Sequence, residues 1–321
     1  MPRVFLIDTD TASDDAVALI MALRTPGVHV AAITVVAGNV PLAQATRNAL
    51  YTAELCDSNV PIYPGAAHPL IRPCQHAQWF HGNDGLGDQG YPPPVRHPES
   101  RPAVDAIIET VTANPGLTVV TLGPLTNMAQ AFTRTPEIAA SIGRLVLMGG
   151  NPCTEGNVTP AAEYNIWCDP EAARIVIRSG APIELIGWQL CRGEANLRPA
   201  DIDQVLSFNT PLARFAIECN ATAMKANHAQ SGEIGISLPD PIAMAVALDP
   251  AVSVHSTRHY VDVETTSDLT RGMTVVDRLN VATDPRNRTV WSALLPAVPN
   301  CSVCWEIDVP LWKQILYAAL R

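Results

Sequence analysis

The sequence predicts an α/β fold, an open, mostly parallel, doubly wound sheet with helices on both faces. Two observations predict it. Short apolar runs alternate with longer stretches of helical character, each bounded by turn or capping residues, which is the rhythm of βαβ units. The short runs are apolar at successive positions instead of alternate ones, so the strands they form are buried on both faces, as parallel strands are.

The elements follow in order. Val4 to Ile7 is the first buried strand; Asp14 and Asp15 open a helix through Leu23 that Thr25-Pro26-Gly27 stops. Acidic residues in a first turn also complement the helix dipole. Val28 to Val36 is the next strand, ending at Ala37-Gly38-Asn39, and a helix runs from Leu42 to Leu55. Helices are predicted over Ala103–Val111, Leu125–Phe132, Pro170–Arg178, Leu212–Ala226 and Ile242–Leu248, with strands over Leu117–Leu122, Leu145–Met148 and Ile183–Ile186. Val252 to Val263 reads as β structure near the sheet edge, and Val309 to Leu320 as an amphipathic closing helix. Residues 64 to 101 and 149 to 165 lack a period and are rich in turn residues. Long irregular loops in a compact domain are often binding loops or lids. With no internal repeat, low-complexity tract or linker, residues 1–321 read as one domain.

Composition narrows the function. A net charge of −10 with no cluster of basic residues excludes a nucleic-acid-binding surface. Of the 21 Lys and Arg residues only Lys225 and Lys313 are lysines, so lysine-dependent chemistry has two candidates. Eight cysteines in 321 residues do not make a disulfide scaffold. Cys301 and Cys304 form a C-x-x-C without the second pair of a closed zinc site, and read as ordinary thiols. The opening residues form a strand without a basic leader, and no apolar run is long enough to span a membrane, so a cytoplasmic location without membrane contact is expected.

The strongest chemical signal is Asp8-Thr9-Asp10-Thr11-Ala12-Ser13-Asp14-Asp15. Four carboxylates fall within one strand end and the following helix start, where doubly wound sheets bind ligands. Capping accounts for one acid, not four. Carboxylates this close raise one another's pKa unless a cation neutralises them, and a hard divalent ion with oxygen ligands does so; calcium and magnesium both fit. The D-x-D also resembles the haloacid dehalogenase phosphatases. Ala12 stands where that pattern wants Thr or Val, and neither lysine is placed to clamp a phosphate.

The acidic run followed by Ala16 resembles the first motif of the inosine-uridine-preferring nucleoside hydrolases. Val36-Ala37-Gly38-Asn39, His81-Gly82-Asn83-Asp84-Gly85-Leu86-Gly87 and Thr121-Leu122-Gly123-Pro124-Leu125-Thr126-Asn127 resemble later family motifs. So do Met148-Gly149-Gly150 with Gly156 to Asn165 and Asp169 to Ala173, and Arg271 to Asp277. The resemblance follows the family order over nearly the whole chain. It implies hydrolysis of the N-glycosidic bond of a ribonucleoside to ribose and free base with a calcium-bound water. It also implies a calcium site of Asp10, Asp15, the Thr126 backbone carbonyl and Asp240, with Asp10 as general base. Carried over in the same way, Asp14, Asn39, Asn157, Glu163 and Asn165 contact ribose hydroxyls, Met148 gives an apolar ribose contact, and Asp240 meets both metal and sugar. A homodimer or homotetramer is implied as well.

Pro239 stands where many relatives place a histidine before the last metal Asp, and it cannot donate a proton. His81 is the first candidate for the leaving-group acid and His228 the second; Trp79, Phe80 and Trp188 are candidates for stacking on the base. Pro239 and the Thr11-Ala12 pair motivate one alternative, a hydrolase for a modified riboside. The other is a calcium-dependent nucleoside-binding protein without turnover.

Overall fold

The computed structural model describes residues 2–287 and 298–321. Its main sheet is built from β1 (Arg3–Thr9), β2 (Val28–Val35), β3 (Ile62–Pro64), β4 (Thr118–Thr121), β5 (Arg144–Met148), β6 (Ile183–Ile186), β7 (Ser253–His259) and β10 (Cys301–Ile307). They lie in the order β3-β2-β1-β4-β5-β6-β10-β7. All neighbours are parallel except β10 and β7. β8 (Val261–Val263) and β9 (Thr274–Val276) form a separate antiparallel ribbon.

Alternate side chains of the inner strands feed two cores. Phe5 and Ile7 of β1, with Val120 and Val146, pack on one face against α1 (Ser13–Arg24), α2 (Leu42–Leu55), α11 (Pro239–Leu248) and the closing helix α12 (Val309–Leu320). Leu6, Val119 and Leu145 pack on the other face against α4 (Ala103–Ala113), α5 (Thr126–Arg134) and α7 (Pro170–Ile177). This is the doubly wound arrangement expected from uniformly apolar strands. The two cysteines of the C-x-x-C, three apart on β10, enter opposite cores and cannot share a metal.

Three expectations need correction. The helix expected over Leu212–Ala226 is two helices, α9 (Pro211–Glu218) and α10 (Ala221–Ser231), with Asn220 at the break. The Asn220 side chain donates to the Ala216 carbonyl (3.0 Å), the acceptor its own N–H would use in a continuous helix; that N–H bonds Ile217 instead. An asparagine competing for the backbone ends the helix there. The β structure over 252 to 263 divides between the edge of the main sheet and the ribbon. β10, which carries the C-x-x-C, was not expected from the sequence. Two further elements completing the frame are α6 (Tyr164–Cys168) and the short α3 (Gln78–His81); α8 (Pro199–Ser207) packs outside them on α9.

One side chain ties the strands at the centre. Asn127, buried on α5, donates to Asp8 Oδ1 (2.8 Å) and the Val35 carbonyl (3.1 Å) and accepts from the Ala66 N–H (2.8 Å). It fastens β1, β2 and the loop after β3 to one helix start. Asn127→Ala leaves buried groups unpaired and is expected to cost about 3 kcal/mol. A urea titration should show a lower midpoint at unchanged slope.

Candidate active site

The chain leaves β1 and β4 toward opposite sides of the sheet, and a crevice opens beyond their carboxyl ends, the topological switch point. A cavity open to solvent lies there. Asp14, Asn39, Met148, Asn157, Glu163, Asn165 and Asp240, all expected to meet the substrate, line it, and so does His81. Asp10, Asp15 and Thr126 are not on its surface; they are buried behind it.

The carboxylates converge from two helix starts. Asp14 and Asp15 sit in the first turn of α1 and Asp240 in the first turn of α11, and the two helices pack together. Carboxylate oxygens of Asp14, Asp15 and Asp240 lie within 4.8 Å of one another, a group able to hold a metal ion. Asp15 is fixed by the Thr9 hydroxyl (2.6 Å) and the Ala12 N–H (2.9 Å). Burial, then the Asp15 charge, pushes Asp14 up to about 8. Asp240 is held well above the carboxylate range by burial and then by Asp14, Asp15 and Asp10. Burial and the Asp15 charge also raise Asp10. Asp10 Oδ1 and Asp14 Oδ1 are buried without a hydrogen-bond partner. Orphaned anionic oxygens in a desolvated acidic group fit a hard divalent cation, and no other described group of His, Cys, Asp and Glu does. Thr126 opens α5, and its hydroxyl donates to Asp169 (2.7 Å).

Asp10 is clamped. Its Oδ2 accepts the Asn39 N–H at 2.6 Å. A Cβ on Gly38 would fall 2.1 Å from Asp10 Oδ2, and one on Gly123 would fall 2.6 Å from Asp10 Oδ1. The glycines of the Val36–Asn39 and Thr121–Asn127 motifs are therefore what lets two strand ends close on this carboxylate.

His81 is buried, and its Nδ1 lies 2.9 Å from the Ser13 hydroxyl and 3.8 Å from Asp14 Oδ1. Burial pushes it down to about 3, so the ring is neutral at neutral pH. On the opposite wall Glu163 caps α6: its carboxylate accepts from the N–H groups of Gly150 (2.7 Å), Asn165 (2.9 Å) and Ile166 (3.2 Å). Burial still raises it to about 7. Asn165 is held by the Leu122 carbonyl (2.9 Å), and Asn157 by the Tyr164 N–H (2.9 Å). Capping and lining the cavity are thus both true of Glu163.

Trp79, Phe80 and Trp188 all line the cavity. His228 does not; it is exposed, with Nδ1 3.2 Å from the Glu233 carbonyl. Sequence reasoning missed Asn220, Asn227 and Gln230, which line the cavity from α10 and the break before it. Asn220 Oδ1 and Asn227 Nδ2 are buried without partners. The signal was a polar stripe at helical spacing, i, i+7 and i+10, inside what read as an ordinary amphipathic helix. Arg271, from the last motif, pairs with Glu171 through two bonds (2.6 and 2.7 Å) away from the cavity, so that motif fastens the β8–β9 ribbon to α7.

Gly38→Ala is expected to displace Asp10 while leaving the sheet folded. Turnover should fall on the order of 10²-fold, the cost of misplacing a reacting group by about an ångström. Far-UV circular dichroism and steady-state kinetics on the same sample separate misfolding from misplacement.

Comparison with known proteins agrees with this geometry. The family model for the inosine-uridine preferring nucleoside hydrolase matches residues 5–314. The chain is 38% identical over 293 residues to a pyrimidine-specific ribonucleoside hydrolase, RihA, of Shewanella sp. (strain MR-7), covering 90% of this chain and 91% of that protein. Among solved structures it is similar to a plant nucleoside hydrolase with a TM-score of 0.91 at 30% identity, covering 100% of this chain and 99% of the other. It is also similar to a purine-preferring ribonucleoside hydrolase from Gardnerella vaginalis with a TM-score of 0.88 at 32% identity, covering 99% and 98%. With its motifs, sheet and acidic crevice all in the same order, the chain belongs to the inosine-uridine preferring nucleoside hydrolase family, N-glycosyl hydrolases that separate ribose from base.

Proposed function

We propose that this protein hydrolyses ribonucleosides with Asp10 as general base beside a calcium ion held by Asp10, Asp15, the Thr126 carbonyl and Asp240. The observation that carries this reading is the state of Asp10: buried, one oxygen bound by a backbone N–H, the other unpartnered. Asp14, whose carboxylate groups with those of Asp15 and Asp240, faces both ion and sugar. Bound there, the cation would supply Lewis acidity toward water and positive charge beside the sugar.

The chain's own groups do the rest. Asp10 Oδ1 takes the proton of the attacking water, while the Asn39 N–H fixes its partner oxygen. Asp14, Asn39, Asn157, Glu163, Asn165 and Asp240 hold the ribose hydroxyls, and Met148 packs on the ring. Positive charge that develops on the sugar as the bond breaks is stabilised by the carboxylates around it. His81 acts on the departing base as a neutral imidazole. A Ser13 hydroxyl donating to Nδ1 leaves the proton on Nε2, available to the base. Asn220 Oδ1 and Asn227 Nδ2 offer an acceptor and a donor to the base edge.

Pyrimidine ribonucleosides are the preferred class in this reading, in line with the Shewanella relative. Residues 1–321 act as one catalytic domain of a cytoplasmic homodimer or homotetramer in base salvage. No described helix is long and apolar enough to cross a membrane.

A reducing-sugar assay on purine and pyrimidine ribonucleosides tests the reaction. Ribose release that falls on chelation and returns with calcium is expected. Calcium binding without ribose release from any of them would favour a modified riboside or a binding protein. Asp10→Asn should lower kcat on the order of 10³-fold with the fold intact; near-normal turnover removes Asp10 as the base. His81→Ala should slow natural nucleosides more than p-nitrophenyl riboside, whose leaving group needs no help. Equal losses on both would exclude His81 from leaving-group departure.

A further inference from the structure

Arg192 is not on the cavity surface, yet it joins three parts of the wall. It follows the 3₁₀ turn Trp188–Cys191, which leaves β6 beside the cavity. Trp188 lines the cavity, and its N–H is held by the Gly150 carbonyl (2.9 Å). The Arg192 guanidinium lies over the Trp188 indole, 4.8 Å from the ring centroid. Its Nε donates to Glu233 Oε1 (3.1 Å), and its Nη1 donates to Glu155 Oε1.

These partners come from different segments. Glu155 stands on the irregular loop that also carries Asn157. Glu233 follows α10, whose residues Asn227 and Gln230 line the cavity. Glu233 also accepts from the Asn196 side-chain amide (2.6 Å) and the Gly193 N–H (3.2 Å), so it is fixed to the segment after Trp188. Gln230 completes the circuit by donating to the Asn157 carbonyl (2.6 Å). Two carboxylates and one ring face on a single side chain require the planar fork of arginine; the point charge of lysine does not match them. One exposed ion pair contributes little. Here two pairs and a stacked ring share one half-buried guanidinium, and together they set where Trp188 stands.

One face of the indole is occupied by the cation, so a base that stacks on Trp188 has only the opposite face. A ring held in this way is a platform of fixed orientation. The cation also disfavours added positive charge on a base stacked beyond the ring. The contact therefore favours binding of the neutral base and gives no help to its protonation.

We propose that Arg192 is a positioning residue for the base: it fixes Trp188 as the platform on which the base stacks, and it ties the 149–165 loop to the end of α10 around that platform. This inference rests on the nucleoside hydrolase reading of the cavity. The effect belongs to binding of the base, and neither the sugar nor the chemical step depends on it.

The test compares the whole protein, with calcium present, and its Arg192→Met and Arg192→Lys variants in three measurements. These are uridine hydrolysis, calorimetric binding of pseudouridine, whose C–C link is not open to N-glycosidic hydrolysis, and inhibition by ribose, which has no base. Arg192→Met is expected to raise the uridine KM and the pseudouridine Kd about fivefold, the scale of a cation–π contact partly removed from water. The kcat and the ribose inhibition constant should hold. Arg192→Lys, which keeps the charge and loses the fork, should fall between. In a Trp188→Leu background Arg192→Met should add nothing to the loss on uridine. Equal weakening of ribose and pseudouridine, or a loss confined to kcat, would overturn the proposal. So would losses from Arg192→Met and Trp188→Leu that multiply, or a lower melting temperature with unchanged KM and Kd, which would leave Arg192 a structural tie. A wild-type protein that binds pseudouridine with this dependence on Arg192 but releases no ribose from uridine would count against the hydrolase reading alone.

Discussion

Four carboxyl groups buried together at one end of β1 set the terms for the rest of this molecule. Asp10, Asp14, Asp15 and Asp240 are removed from water and crowd one another, and each is raised above its ordinary range by burial first. Among the described residues no Lys or Arg pairs with any of them. The fold can only reduce the penalty, and it does so by bringing two helix starts to the same point, where dipoles and N–H groups favour negative charge. What remains is the charge that a bound metal ion would offset, and the carboxylates of Asp14, Asp15 and Asp240 are grouped closely enough to hold one.

That constraint explains why so much of the surrounding structure is inflexible. Gly38 and Gly123 leave no room for a side chain beside Asp10, and Asn127 binds β1, β2 and α5 into one unit just behind it. The opposite wall of the cavity is made differently. Glu163 is held by three backbone N–H groups of its own segment, and Gln230 of α10 reaches the Asn157 carbonyl at 2.6 Å across the mouth. Asp10 is fixed between strand ends, whereas Glu163 and Asn157 are held by the loop and helices across the cavity. A hydrolase of this kind needs both, because the water must be positioned to within a fraction of an ångström while the nucleoside must still enter.

The loop over residues 70–77 joins these two parts. It touches the Asp10 clamp through Gly38 and Asn39, and it touches Tyr164 of α6 and Asp169, the residue that caps α7.

The sequence by itself determined the architecture and the chemical heart of the site. Uniformly apolar strands can only be doubly covered, and Asp8 to Asp15 following such a strand can only lie at the crevice beyond its carboxyl end. Local spacing therefore carried β1, α1, β2 and α2, and the family motifs carried the residues that line the cavity. Tertiary structure decided what no local pattern encodes. β10 is inserted between β6 and β7 from the far end of the chain, and its C-x-x-C is divided between two cores because successive odd spacings point to opposite faces. Asn220 breaks a helix by taking the Ala216 carbonyl, which turns Asn220 and Asn227 toward the cavity. Burial keeps the His81 ring neutral, and packing sets its Nδ1 2.9 Å from the hydroxyl of Ser13, 68 positions away in the chain. Each of these depends on which distant segment lies alongside, and long-range packing alone supplies that.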